Sequence, residues 1–247
     1  MRAGYCMVVN EHWNGLNTIG FDYHKSGQKP PGASMRRFAP GATIFDTETD
    51  ASRILFISSG WVVSSRTMSN GTRIVTDFSL HGDVLSSASA LMSQESVQAI
   101  SPVTCYEFAG QLSGQGSEGA SQLPFIMTVE MMKRHARMVE RLASIGRRDA
   151  FGRTGHLLLE LAVRAGNASR PELDGFECPL KQAEIGDALG LSTVHVNRVL
   201  KDMRVAGLLS FRNGIVEFLN RRKLMEIVDF EPSYLSVPDA SIGHADR

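Results

Sequence analysis

The stretch from Pro179 to Leu208, PLKQAEIGDALGLSTVHVNRVLKDMRVAGLL, constrains this chain more than any other. Ile185 and Leu189 share one face of a short helix spanning Gln182 to Leu189. Gly190 follows where a helix end calls for a left-handed backbone, a conformation that costs glycine little. Leu191 is expected under the turn. Ser192 then caps a second helix running to about Ala206, with Val196, Val199, Leu200 and Met203 on its inward side. Two short helices joined through a tight glycine turn make a helix-turn-helix, whose second helix suits the major groove of DNA. Ser192, Thr193, Val194, Asn197 and Arg198 stand at the start of that helix, and Lys201 one turn further on. An arginine can chelate O6 and N7 of guanine, and an asparagine pairs with adenine or reaches phosphate.

The residues beyond it strengthen this reading. Leu208 to Phe218 reads as two short strands around Arg212-Asn213-Gly214, a wing with a basic tip, and Arg221, Arg222 and Lys223 follow. A charge run is usually only a solvated face. Here, however, Ser192 to Lys223 holds seven basic residues against two acidic ones, a local net of +5, next to a helix-turn-helix. That is the electrostatic footprint of a surface for double-stranded DNA. The whole chain hides it, because 26 Lys+Arg balance 26 Asp+Glu over 247 residues. The compensating acids are concentrated too: between Ile74 and Met132 there is no Lys or Arg, but six acids stand at 77, 83, 95, 107, 118 and 130.

Upstream the texture differs. Residues 1–34 read as an arm ending in Lys29-Pro30-Pro31-Gly32. From 35 to about 109, short apolar runs such as Ile54-Leu55-Phe56-Ile57 and Trp61-Val62-Val63 alternate with turns at Pro40-Gly41, Gly60, Asn70-Gly71 and Gly82-Asp83. This spacing predicts an antiparallel β-roll, assigned with its connection to 35–121. A Gly/Ser/Gln stretch from 110 to 122 leads into a long helix over 122–148. In it Thr128, Met131, His135, Met138, Leu142 and Ile145 recur at alternating steps of three and four, the seam of a helix packed on a parallel partner. Periodicity alone leaves that seam open to a second copy of the chain or to the chain's own domains. His135 reads as a packed residue, not a ligand, since no second ligand stands one turn away. Asp149 to Gly166 is a further helix, Arg170 to Cys178 a loop, and 236–247 a tail, which assigns 149–235 to the winged helix-turn-helix. The fold class is α+β.

With these pieces in order, the chain resembles the Crp/Fnr family of bacterial transcription regulators over about residues 35 to 235. The string QAEIGDALGLSTVHVNRVLKDMRVAGLL carries most of the likeness, with Gly146-Arg147-Arg148-Asp149-Ala150 and His156-Leu157-Leu158-Leu159-Glu160-Leu161 similar to the family's hinge and following helix. The resemblance implies a homodimer joined by the long helix at Met131, His135, Met138, Leu142 and Ile145, reading two half-sites of a palindrome, with RNA polymerase as a further partner. Family members that bind cyclic nucleotides follow the Gly-Asp turn with Gly-Glu and later Arg-Ser/Thr. This chain has Ser86-Ser87 and Gln94-Glu95 instead, so cyclic nucleotide is disfavoured. Its iron–sulfur sensors need several N-terminal cysteines, and Cys6 stands alone, with Cys105 and Cys178 far away, so a cluster is excluded on ligand count. Haem on His24 or His81 is disfavoured for want of a distinctive spacing. Many relatives carry a Glu where this chain has Val194, leaving Arg198 as the retained base-reading residue.

No cofactor and no metal are expected, nor a membrane partner, because no apolar run reaches the roughly 20 residues a spanning helix needs. Three separated cysteines point to a reducing, cytoplasmic setting. Cys178, beside the first reader helix, is either an oxidation switch or an inert buried thiol. An enzyme is not expected: Asp77, His81 and Asp83 form an acid/His group near a turn, but no nucleophile with an oriented base accompanies them. The alternative to DNA binding is a small-molecule or protein-interaction module whose winged helix contacts protein.

Overall fold

Short strands joined by tight turns form the first half of the described chain. A computed structural model describes residues 33–108, 123–166 and 174–236. Most of the 1–34 arm, the 110–122 connection, the tail beyond 236, Cys6 and His24 lie outside the described residues. The strands are β1 (Ser34–Phe38), β2 (Thr43–Phe45), β3 (Ile54–Ser59), β4 (Val62–Thr67), β5 (Arg73–Ser79), β6 (Val84–Ser86), β7 (Ser96–Ala99) and β8 (Val103–Phe108). They form two antiparallel sheets, in the orders β1-β8-β3-β6 and β2-β7-β4-β5. The Asn70-Gly71 hairpin behaves as its residues demand. Gly71 adopts φ 82°, and the Asn70 side chain accepts the Thr72 amide at 3.0 Å. Phe45, Leu55, Ile57, Val62, Val97 and Val103 fill the space between the sheets. The sequence did not announce α1 (Ser87–Met92), a short helix capped by Ser86.

The long helix α2 (Leu123–Arg147) is followed by α3 (Ala150–Ala165), whose first turn is capped by Asp149 accepting the Gly152 amide at 2.7 Å. The remainder is β9 (Gly175–Glu177), α4 (Gln182–Leu189), α5 (Thr193–Val205), β10 (Leu209–Arg212), β11 (Ile215–Phe218), α6 (Arg221–Val228) and a 3₁₀ turn at Pro232–Leu235. One expectation is corrected here. The 170–178 loop contains a strand, because β9 pairs with β11 and makes the wing three-stranded; three residues are too few to show alternation. The basic run 221–223 opens a helix, with the Asn220 side chain accepting the Lys223 amide at 3.0 Å.

The faces of α2 are the reverse of an ordinary surface helix. Its inward side is polar: Glu130, Arg137 and Ser144 are buried, with Arg137 only 5% exposed. Its apolar residues point out, Leu142 being 73% exposed. Ion pairs make this arrangement stable. Arg134 donates to both carboxylate oxygens of Glu95, at 2.7 and 2.5 Å. Arg137 Nη2 donates to Asp77 Oδ2 at 2.7 Å and to Glu130 Oε1 at 3.3 Å, and Arg141 lies 3.6 Å from Glu160. From α3, Arg164 donates to the Phe78 carbonyl at 2.5 Å and to Asp83 Oδ2 at 2.9 Å. Arg36 and Arg53 both close on Glu107. Five of the six acids in the cation-free stretch 74–132 therefore meet arginines brought from elsewhere, and the sixth, Glu118, lies outside the described residues.

One apolar cluster runs from Trp61, Val75, Phe78 and Leu80 of the β-roll into Leu158, Phe176, Leu189 and Val216 beyond it. Trp61 stacks on Phe176 with ring centroids 6.2 Å apart. Burial pushes the Asp77 carboxyl up, but Arg137 and Arg164 outweigh it and hold the group down to about 2. A depressed carboxyl contributes stability above its ordinary range, and that stability is lost as pH falls toward 2. Asp77→Asn is expected to lower the unfolding free energy in urea at neutral pH by about 3–5 kcal/mol. The variant should also lose less stability than the native chain between pH 4 and pH 2.

Candidate nucleic-acid interface

The helix-turn-helix closes through backbone as well as side chains. Gly190 ends α4 at φ 65°, ψ 36°, the left-handed conformation its position calls for. The Leu191 amide donates to the Gly186 carbonyl at 3.0 Å. A Cβ on Gly186 would come within 2.5 Å of the Leu191 carbonyl oxygen, so this second glycine sets how closely the turn packs on α4. The sequence signalled Gly190 but not Gly186, whose requirement arises only when the turn folds back. At the start of α4 the Lys181 amide donates to Glu184 at 2.6 Å.

Ser192 caps α5, its Oγ accepting the His195 amide at 3.2 Å. Its side chain thus fixes where the helix begins. Val196, Val199, Leu200 and Met203 are buried, as their spacing predicts. Thr193, Val194, Asn197, Arg198 and Lys201 are all exposed on the opposite side, Val194 at 77%. His195 and Arg204 share that exposure, although only the basic count, not the candidate set, included Arg204. At the wing tip Asn213 and Gly214 take φ 52° and 73°, both left-handed, which leaves exposed Arg212 paired with Ile215 across the hairpin.

Cations without a carboxylate partner among the described residues also occur elsewhere, at Arg37, Arg147 and Lys181 for example, but they are concentrated on this surface. Among the described residues no carboxylate lies within ion-pairing distance of Arg198, Lys201, Arg204, Arg212 or Lys223. The other two residues of the basic count are engaged. Arg221 pairs with Asp174 at 3.0 Å and covers the Phe218 ring at 4.4 Å, so its guanidinium belongs to the fold, and Arg222 pairs with Glu226 at 3.1 Å.

On α2, the seam residues Thr128, Met131, His135, Met138, Leu142 and Ile145 are all exposed. Among the described residues, no element of the chain buries them. Met132, Val139 and Phe125 widen the apolar face.

Two family models match the chain: the cyclic nucleotide-binding domain over residues 35–112 and the Crp-like helix-turn-helix domain over residues 152–227. The chain belongs to the Crp/Fnr family of transcription regulators. It is 26% identical over 196 residues to the nitrogen fixation regulation protein FixK of Azorhizobium caulinodans, covering 78% of this chain and 77% of that one. It is likewise 26% identical over 221 residues to the global nitrogen regulator of Synechococcus elongatus, covering 87% and 96%. The structure of FixK2 from Bradyrhizobium japonicum shares the fold, with a TM-score of 0.64 at 23% identity over 84% of this chain and 99% of that one.

The remaining candidates are placed as follows. Asp77 and Asp83 are held by arginines and belong to the charge network, while His81 Nδ1 lies 2.7 Å from the Ser58 carbonyl. Among the described residues no cluster of His, Cys, Asp or Glu is placed to hold a metal ion, and no helix is long and apolar enough to cross a membrane. Cys105 and Cys178 are both buried, and burial pushes their thiols up to about 11 and about 12. A thiol so far from ionisation is a poor nucleophile. In a Cys6→Ser variant, an aromatic disulfide reagent is expected to find no fast-reacting thiol in the folded protein and both on denaturation. Rapid stoichiometric reaction at Cys178 would reinstate it as an oxidation switch.

Proposed function

We propose that two copies of the chain join along the apolar face of α2 and present their α5 helices to a palindromic DNA site. The observation that carries this reading is the exposed face of α5 and the wing, where five cations have no acidic partner within the described chain. A protein seldom keeps such a cluster uncompensated without a polyanion to meet it. In this reading Arg198 chelates a guanine in each half-site, and Val194 and Thr193 meet thymine methyls. Asn197 reaches adenine or phosphate, and Lys201, Arg204 and Arg212 hold the backbone. Ser192 orients the helix through its cap and brings its first turn to the groove. RNA polymerase is the further partner this reading expects.

The long helix favours a dimer for a physical reason. Its apolar face is turned away from its own domains, while its arginines are committed to them. Rotating the helix to hide Leu142 would strip Arg134 and Arg137 of Glu95 and Asp77, so a second copy is the economical cover.

The β-roll is read as holding no cyclic nucleotide. Its inner cations are engaged, Arg134 with Glu95 and Ser89, and Arg53 with Glu107. The Ser87 hydroxyl donates to the Asp50 carbonyl at 2.6 Å.

Selecting bound sites from random duplex DNA with the full chain tests the reading directly. A palindrome with half-sites about one helical turn apart is expected. Affinity should fall steeply with salt, whereas a protein-interaction module would show neither result. Arg198→Ala should cost about 1–3 kcal/mol per half-site and relax preference at one base pair, while equal losses on specific and random DNA would make Arg198 a phosphate contact. Leu142→Glu should convert a dimer to a monomer in sedimentation, with folding intact by circular dichroism and palindrome affinity lost.

A further inference from the structure

The junction where the β-roll, α2 and α3 meet gathers three carboxylates around two central guanidiniums. Asp77 comes from β5, Asp83 from the turn before β6 and Glu130 from α2; Arg137 comes from α2 and Arg164 from α3. The three acids are not held equally. Asp77 takes the shorter bond from Arg137 Nη2, at 2.7 Å, and Asp83 accepts Arg164 at 2.9 Å together with the Leu80 amide at 2.7 Å. Glu130 has only a 3.3 Å contact to the same Arg137 nitrogen that Asp77 already occupies, yet it is 7% exposed. An ionised carboxylate buried there would be the surplus negative charge of the cluster.

The neighbouring cations are shared with other acids or sit at the edge of the cluster. Arg164 also faces Asp77 at 3.7 Å and Glu160 at 3.4 Å. Glu160 in turn accepts the Tyr234 hydroxyl at 2.8 Å and lies near Arg141. Lys133, the remaining cation near Glu130, lines a small cavity with His81, Asp83, Arg137, Arg164 and Tyr234 at the edge of the cluster. Burial first, and then the Asp83 carboxylate, push the Glu130 carboxyl up to about 7, with Arg137 and Lys133 opposing and Asp77 adding to the rise.

We propose that Glu130 is a proton-responsive latch at this junction: neutral, it lets the β-roll, the long helix and α3 close on one another, and ionised, it loosens them. The linkage has a definite sign. The closed form holds a proton that the open form, with Glu130 in water, gives up from its ordinary range upward. Closure is therefore complete at acid pH and weakens as pH rises toward 7, beyond which it changes little. Between pH 6 and pH 8 the closing equilibrium should weaken about tenfold. The latch joins the sensor-like half of the chain to the helix that leads into the reader, so the position of α5 relative to the long helix would respond to acidity.

Hydrogen exchange on the full-length chain tests the latch without reference to DNA, so its failure is separable from failure of the DNA-binding reading. The Phe78 amide donates to Asp77 Oδ1 and the Leu80 amide to Asp83 Oδ2, at 2.9 and 2.7 Å, so both report opening of the junction. After correction for the intrinsic pH dependence of exchange, their opening should be about tenfold more frequent at pH 8 than at pH 6. Glu130→Gln should remove that difference and give, at pH 8, the protection that the native chain shows at pH 6. Since the variant is expected to gain protection, damage to the fold cannot imitate the result. His81→Asn, altering the histidine at the same cavity, should leave the native pH response in place. A pH-independent native chain, a response that survives Glu130→Gln, or one that vanishes in His81→Asn would overturn the proposal.

Discussion

Asp77 sits between two guanidiniums, Arg137 of the long helix and Arg164 of the helix after it, with its carboxylate cut off from water. Much of the architecture depends on that contact. It sets which face of the long helix turns inward, and so which face is left for a second copy. It also ties strand β5 to α3, the first helix of the reader unit, across a continuous apolar seam. A buried ion pair of this kind is weak evidence for extra stability compared with a well-packed apolar substitute, but it is costly to break on one side. Its value here lies in orientation, because an apolar substitute would not tell the helix which way to face.

Charge pairing divides the molecule into two regimes. Around the β-roll and the inward side of the long helix, Arg36, Arg53, Arg134, Arg137 and Arg141 are spent on acids within the chain. On the outward side of α5 and at the wing tip, five cations are left without such partners. Neutrality over the whole sequence conceals the second regime, which is the one open to a polyanion. Arg221 marks the border: it lies next in sequence to residues on the open surface, yet is taken up by Asp174 and the Phe218 ring.

The helix-turn-helix could be read almost residue by residue, because everything it needs is local. Gly190 announces a left-handed helix end, Ser192 a cap, and the steps of three and four from Val196 to Met203 a buried side. The structure places each as expected. Elements without a local signature were missed. β9 is three residues long and acquires its identity from pairing with β11, and α1 is a single capped turn and a half inside a strand-rich domain. Gly186 could not be recognised, since its need for a missing side chain depends on how the following turn folds back over it.

By itself, then, the sequence determined the order of domains, the two reader helices, the outward set from Thr193 to Lys201 and the apolar seam from Thr128 to Ile145. Each rests on hydrophobic periodicity or turn chemistry within a few residues. The tertiary structure alone decided which cations remain open and which way the long helix faces. It also brought Asp77, Asp83 and Glu130 together at one junction. Between Ile74 and Met132 the sequence holds acids but no Lys or Arg, and folding supplies partners from residues 39, 60 and 81 positions away. Electrostatic energy depends on distance in space, and at those separations the order of residues along the chain carries no record of it.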